Sequence, residues 1–113
     1  MKCDVLTIGA AVRDIFVRST HFERIRDAHA PEGWDSCFPM GAKIDVEELN
    51  IETGGGATNA AVTFANWGFQ TACVSRIGKD PAGADILRDL QDRHIRVSEI
   101  GRASCRERVY VLV

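Results

Sequence analysis

The chain of 113 residues contains no long hydrophobic run. Its longest nearly apolar stretch, residues 8–12, is far shorter than the roughly 20 residues that a membrane-spanning helix needs. The acidic Asp4 stands where the apolar part of a signal peptide would begin. We therefore expect a cytoplasmic protein that has no membrane partner.

The chain also lacks a block of basic residues. Its 14 Lys and Arg stand against 16 Asp and Glu, which gives a formal net charge of -2. A surface of this charge cannot neutralise a run of phosphates, as nucleic-acid binding requires. We expect no nucleic-acid partner.

The cysteines and histidines indicate neither a metal site nor a disulfide scaffold. The four cysteines are each more than thirty residues apart and include no C-x-x-C pair. The three histidines share no helical face with a second donor. We predict reduced, mostly buried thiols and no metal ligands.

What is present is the composition of one soluble globular domain, with 45% hydrophobic and 27% charged residues. Residues 4–9 and 71–77 have the short apolar pattern of core strands, and the first is typical of a strand covered on both faces. A period of 3.6 predicts helices over residues 58–67, with Thr58 as the cap, and over residues 82–93. Alternating strands and helices indicate an α/β fold.

The segment between the first strand and the first helix has no steady period. Residues 15–17 are expected to be extended, and residues 18–42 combine scattered aromatic side chains with proline and glycine. Weak alternation over residues 43–49 favours a half-exposed strand. We interpret residues 18–49 as a lid-like insertion.

Three glycines, Gly54, Gly55 and Gly56, precede the first predicted helix. They lack the third glycine of a dinucleotide fingerprint and the Lys-Ser/Thr pair of a P-loop. Such a run exposes backbone N–H groups at a helix start, and the amide of Asn59 adds a donor and an acceptor, which suits a polyhydroxylated ligand. The alternative is a tight turn that Asn59 helps to cap.

The predicted topology brings this helix start to the carboxyl ends of the strands, where open α/β sheets bind ligands. Asp14 follows the end of the first strand, and residues 78–80 follow the second. Three loops are therefore expected at one edge of the sheet. Asp80 is also placed to cap the second helix.

The stretch GGGATNAA, preceded by DVLTIGAAVRD and followed by IGKDPAG, resembles the N-terminal signature of the ribokinase-like carbohydrate kinases, which include phosphofructokinase-B. The resemblance implies the N-terminal part of a Rossmann-type, three-layer α/β fold with a small lid. Because family members are well over twice this length, it also implies that residues 1–98 are the substrate-binding part of a longer kinase.

By position, the resemblance implies that Asp14 accepts hydrogen bonds from sugar hydroxyls, that Gly55 and Gly56 clamp the sugar, and that Asn59 binds another hydroxyl. The implied reaction moves the γ-phosphate of ATP, with Mg²⁺, to a sugar, sugar phosphate or nucleoside. The family's catalytic and ATP-binding residues have no counterpart in this chain, which we expect to be inactive alone. The resemblance further implies a homodimer of the intact protein through the lid.

Two alternatives stay open at this point. The chain as given has no catalytic base, so it could instead be a small, non-catalytic α/β module that binds a metabolite or a partner. Residues 99–109, EIGRASCRERV, coincide codon by codon with a translated sequencing adapter, which predicts a non-native tail over residues 99–113. A basic surface segment is the other reading of that tail.

Overall fold

The protein is described by a computed structural model that covers the backbone of residues 2–102 and 106–112 and side-chain burial as far as residue 97. The elements in chain order are β1 (Val5–Ile8), β2 (Val12–Arg18), β3 (Glu23–Arg26), β4 (Trp34–Cys37), β5 (Glu48–Gly54), α1 (Gly56–Asn66), β6 (Thr71–Ile77), α2 (Pro81–Asp92), β7 (Arg96–Arg102) and β8 (Arg106–Leu112).

The chain forms two compact units. Unit 1 consists of Met1–Asp14 and Glu52–Arg108, and unit 2 of Ile15–Ile51 and Val109–Val113. Unit 2 corresponds closely in sequence to the segment interpreted as a lid, although its role as a lid stays a prediction. None of the helices in the described part of the chain is long and apolar enough to cross a membrane.

A parallel sheet in the order β1-β6-β7 organises unit 1. Val5 pairs with Thr71 and Ile8 with Val74, and β7 runs parallel to β6 on its other side. The predicted strand over residues 71–77 has the bounds of β6. The predicted α/β fold is confirmed.

Helix α1 begins at Gly56, two residues before the predicted start. Gly55 is its N-cap residue, and no side chain caps the helix. The hydroxyl of Thr58 donates to the carbonyls of Gly54 and Gly55, at 2.6 and 2.9 Å, so it binds acceptors rather than the free N–H groups of the first turn. The prediction of Thr58 as the cap is therefore wrong.

Helix α2 has the predicted cap. The Oδ1 atom of Asp80 accepts the N–H of Gly83 at 2.8 Å, and Pro81 occupies the first turn, where its missing N–H is not needed. The side chains of Ile86 and Leu90 are each 1% exposed. Capping and burial of one apolar face therefore both support this helix.

The core lies on one face of the parallel sheet. It joins side chains of α1, α2 and β6 with flanking residues; its members are Ala11, Ala57, Ala61, Cys73, Ile77, Ile86, Leu90 and Ile95. On β1, Thr7 is buried, whereas Leu6 is 53% and Ile8 is 73% exposed. The prediction that β1 is covered on both faces is wrong for this chain, because no described helix packs over Leu6 and Ile8.

Unit 2 contains a hairpin that the sequence did not predict. Strands β3 and β4 pair antiparallel, with Arg26 opposite Trp34. The guanidinium groups of Arg24 and Arg26 lie 4.7 and 5.3 Å from the centre of the Trp34 ring. Cross-strand stacking of this kind stabilises a hairpin whose residues lack apolar alternation.

The strand predicted over residues 43–49 is wrong in its bounds, because β5 begins only at Glu48. Residues 43–47 bond to the chain that leaves β2: Ser19 Oγ donates to the carbonyl of Asp45 at 2.6 Å, and Glu47 N–H donates to the carbonyl of Arg18 at 3.0 Å. The extended conformation predicted over residues 15–17 is confirmed within β2.

The thiols differ from expectation. Cys3 is exposed, Cys37 is half-buried and Cys73 is buried, and all three are free. The prediction of mostly buried thiols is wrong for these three, and Cys105 lies outside the described residues.

The chain after residue 98 is extended where it is described. Strand β7 continues to Arg102, with a register irregularity between the partners of Ser75 and Ile77. The non-native origin of residues 99–113 stays a prediction. Amplifying the genomic locus and sequencing past Ser98 tests it, and the same eleven codons in genomic DNA would contradict it.

Candidate functional site

The loop after β1 is fixed on β6. The N–H of Gly9 donates to the carbonyl of Val74 at 3.1 Å, and the hydroxyl of Ser75 donates to the carbonyl of Gly9 at 2.7 Å. Since β1 and β6 are parallel, both strands end at this edge of the sheet. The loop is thus held at the carboxyl edge that the sequence predicted for a ligand.

The same loop contacts the start of α1. The carbonyl of Ala10 accepts the N–H of Ala57 at 3.1 Å. A Cβ on Gly55 would overlap that carbonyl oxygen and lie 2.8 Å from its carbon, and the φ of Gly55 is 108°. Close approach and backbone conformation therefore both require glycine at this position.

Asp14 is the third residue of β2, not a loop residue as the sequence predicted. Its side chain is half-buried, and its Oδ1 atom is buried. A Cβ on Gly54 would overlap the Oδ2 atom of Asp14 and lie 2.9 Å from its Cγ atom. The carboxylate therefore packs directly on the backbone that leads into Gly55 and α1.

Gly56 and Asn59 belong to the first turn and a half of α1, and both are exposed. Nothing lies within 4 Å of the position of a Cβ on Gly56, so the space beside it is open. The N–H of Asn59 already donates to the carbonyl of Gly55 at 2.9 Å. Only the side chain of Asn59 is left to bind a ligand.

The third predicted loop, residues 78–80, ends β6 and leads into α2. Its Asp80 is used in capping, and a Cβ on Gly83 would overlap the carbonyl oxygen of Gly78. Lys79 and Asp80 are both exposed, and Gly78 is buried. We therefore assign this loop a structural role at the carboxyl edge of the sheet.

In the structure, Asp14 packs against Gly54, which directly precedes Gly55. Gly56 and Asn59 follow in α1. All four belong to unit 1. Binding of a sugar by these four residues stays a prediction. The sequence indicated Gly54 as part of the glycine run, but not its contact with Asp14 or the role of the Ala10 carbonyl, since a packing contact between distant segments leaves no local pattern.

Metal ligands are not grouped in the described residues. Among the side chains that the structure describes, no three His, Cys, Asp or Glu residues come together in a way that could hold an ion. The described side chains therefore assemble no set of three ligands around a single ion.

The sequence profile of the pfkB family of carbohydrate kinases matches residues 22–113. A ribokinase from Dictyostelium discoideum is 24% identical over 95 residues, which are 84% of this chain and 25% of that protein. The chain thus spans about a quarter of the length of that ribokinase.

Solved structures give the same fold. A protein assigned as a ribokinase from Agrobacterium tumefaciens superposes with a TM-score of 0.59 at 29% identity, over 88% of this chain and 28% of that one. Phosphofructokinase-2 from Escherichia coli, in complex with fructose-6-phosphate, superposes with a TM-score of 0.63 at 18% identity, over 95% and 30% of the two chains. Because the family profile matches most of the length of the chain, the chain belongs to the pfkB family of carbohydrate kinases.

Proposed function

We propose that the complete gene product transfers the γ-phosphate of ATP to a hydroxyl of a sugar, sugar phosphate or nucleoside, and that this chain holds the acceptor. The observation that supports this most is the carboxylate of Asp14 beside Gly54, at the edge where the loop after β1 contacts the start of α1. An ionised carboxylate only accepts hydrogen bonds, so it matches the donors that a polyol presents.

The residues of this chain act by binding and orientation. Asp14 accepts from one or two hydroxyls, the backbone at Gly55 holds the start of α1 against the loop after β1, the open space at Gly56 allows the sugar to approach closely, and the exposed amide of Asn59 binds a further hydroxyl. Holding the acceptor in one orientation lowers the entropic part of the barrier to phosphoryl transfer. The open space at Gly56 leaves room for a substituent on the acceptor.

ATP supplies the phosphoryl group, and Mg²⁺ would neutralise charge on its phosphates. Because the described residues assemble no set of three metal ligands, no step through Mg²⁺ is assigned to them. We place the catalytic base and the nucleotide site in the part of the complete product that corresponds to the rest of the relatives' length. A homodimer through unit 2 belongs to the same proposal, and light scattering of the complete product tests it.

The test is an assay of the complete gene product with ATP and a panel of pentoses, hexoses, their phosphates and nucleosides. Asp14→Ala should raise the KM for the acceptor roughly 10- to 100-fold, because hydrogen bonds to a charged group are worth about 1.5–3 kcal/mol. The KM for ATP should stay unchanged. Asp92→Ala, at the exposed end of α2, is the matched control and should behave as the wild type.

Two results would contradict the proposal. Absence of phosphotransfer to every acceptor in the panel would remove the kinase function and favour a non-catalytic module. An Asp14→Ala variant with wild-type kinetics would remove Asp14 from the acceptor site.

A further inference from the structure

Gly54 and its neighbour Gly55 require glycine for different reasons. Gly55 has a φ of +108°, which few other residues adopt, whereas Gly54 has no such conformation. At Gly54 the constraint is space alone, since an added Cβ would overlap the Oδ2 atom of Asp14 and lie 2.9 Å from its Cγ atom and 3.3 Å from the Cγ2 atom of Val12.

The backbone at Gly54 is held by contacts on both the residue itself and the residue that follows it. Its carbonyl accepts the hydroxyl of Thr58 at 2.6 Å, a buried bond to α1. The next residue, Gly55, lies so close to the carbonyl of Ala10 that an added Cβ would overlap its oxygen. A methyl group on residue 54 would therefore be accommodated by displacement of the Asp14 side chain, the partner that rotates at least cost.

We propose that Gly54 is a positioning residue for the acceptor site: the absence of its side chain provides the seat on which the carboxylate of Asp14 is held. The inference rests on the proposed function in one respect, namely that Asp14 binds the acceptor. The seat itself follows from the contact between the two residues and exists whatever the ligand.

The competing explanation is that Gly54 serves only the turn between β5 and α1. In that case, the cost of a methyl group at residue 54 does not depend on the side chain at residue 14. Under the proposal, the cost depends on the atoms of that side chain beyond Cβ. It depends on their volume, not on their charge.

A double-mutant cycle in the complete gene product separates these explanations. Gly54→Ala is combined with Asp14→Ala, which removes the overlapping atoms, and with Asp14→Asn, which keeps their volume and removes the charge. Thermal unfolding is measured for every variant, and steady-state KM values for acceptor and ATP are measured wherever activity allows.

We expect Gly54→Ala to lower the midpoint of thermal unfolding by several degrees in the wild-type and Asp14→Asn backgrounds, and by about 1 °C or less with Asp14→Ala. In the wild-type background, it should raise the acceptor KM roughly tenfold or more, since small displacements of a positioned group are costly, and leave the KM for ATP within about twofold. With Asp14→Ala, it should add less than about twofold to the acceptor KM.

Gly83→Ala is the matched control, because its Cβ would also overlap an oxygen atom within the same unit, but that oxygen is the backbone carbonyl of Gly78 and not a side chain of the candidate site. It should lower thermal stability without the selective rise in acceptor KM. A Gly54→Ala variant that folds only when combined with Asp14→Ala would support the proposal as directly as the full cycle.

Equal thermal cost of Gly54→Ala with Asp14 and with Asp14→Ala would overturn the proposal, as would an unchanged acceptor KM. If the complete product transfers no phosphate, the proposed function fails while the thermal cycle still decides whether the seat exists. The two failures are therefore distinguishable.

Discussion

The two faces of the β1–β6 sheet differ in a way that residue polarity alone would not predict. Thr7 of β1 is 8% exposed and faces the core with the buried Cys73, while the larger and more apolar Leu6 and Ile8 face away from it. On β6, Val74 beside Ile8 is only half-buried. One face is covered by α1 and α2, whereas on the other face the large apolar side chains of Leu6 and Ile8 are exposed.

This contrast indicates a sheet whose sequence is adapted to cover on both sides. Parallel strands are normally buried on both faces, and exposed apolar sheet faces promote association. Strand β1 is also at the end of the order β1-β6-β7, so its backbone edge is open within that sheet. Because the chain spans 25% of the ribokinase it matches, we propose that the rest of the complete product covers Leu6 and Ile8.

The largest expected effect is on the chain as a whole. Expressed alone, the 113-residue chain should aggregate or unfold broadly, and it should transfer no phosphate. Apolar surface contributes about 25 cal/mol per Å² when it is buried, so a bare sheet face can cost more than the roughly 5–15 kcal/mol by which a typical domain is stable. Size-exclusion chromatography and calorimetry measure this, with the complete gene product as the control.

A monodisperse 113-residue species with a sharp unfolding transition would contradict this prediction. It would mean that the exposed face of Leu6 and Ile8 needs no cover, and the independent α/β module would become the better explanation.

Substitutions on the two faces give the next largest effect. In the complete product, Leu90→Ala on the covered face should lower the free energy of unfolding by about 2–5 kcal/mol through loss of contacts and a residual cavity. Ile8→Ala should also cost more than about 1 kcal/mol there, although Ile8 is 73% exposed in this chain. Urea unfolding measures both values.

In the isolated chain the order of effects should reverse. Ile8→Lys should reduce aggregation, because it places a charge on the bare face, whereas Leu90→Lys should increase it by disrupting the core. A complete product in which Ile8→Ala is without effect would show that the second face stays uncovered there.

The sequence predicted what short-range patterns determine. Strand β6 was predicted with its observed bounds because residues 71–77 form a short apolar segment that ends at the turn beginning with Gly78. Helix α2 was predicted to within one residue at each end, since Asp80 and Pro81 mark its start and Ile86 and Leu90 its buried face. These signals lie within a few residues of the structure that they describe.

What the sequence missed depends on contacts between distant segments. The hairpin of β3 and β4 depends on Arg24 and Arg26 stacking on Trp34, which no apolar period indicates. Thr58 was predicted as a cap because residue type alone cannot show that its hydroxyl turns back to Gly54 and Gly55.

The candidate site likewise combines residues that the local sequence indicates with a contact that only the fold shows. Asp14, Gly55, Gly56 and Asn59 were selected from local pattern and family resemblance, and the structure places them at one sheet edge. The packing of Gly54 on Asp14 joins residues forty positions apart, so only the fold reveals it.

The smallest expected effect concerns the cap of α2, one of the two helices that cover the sheet. Asp80→Ala removes the side-chain acceptor for the N–H of Gly83 and should lower the free energy of unfolding of the complete product by about 1 kcal/mol, within a usual range of about 0.5–2. The loss is smaller than that of Leu90→Ala because one hydrogen bond is affected while the apolar contacts of α2 remain. Asp80→Asn, which keeps an acceptor oxygen, should restore most of the stability, and Asp92→Ala at the other end of the helix should change it by less than about 0.5 kcal/mol. Equal losses for Asp80→Ala and Asp80→Asn would show that the charge near the helix start, and not the capping hydrogen bond, stabilises α2 over the sheet.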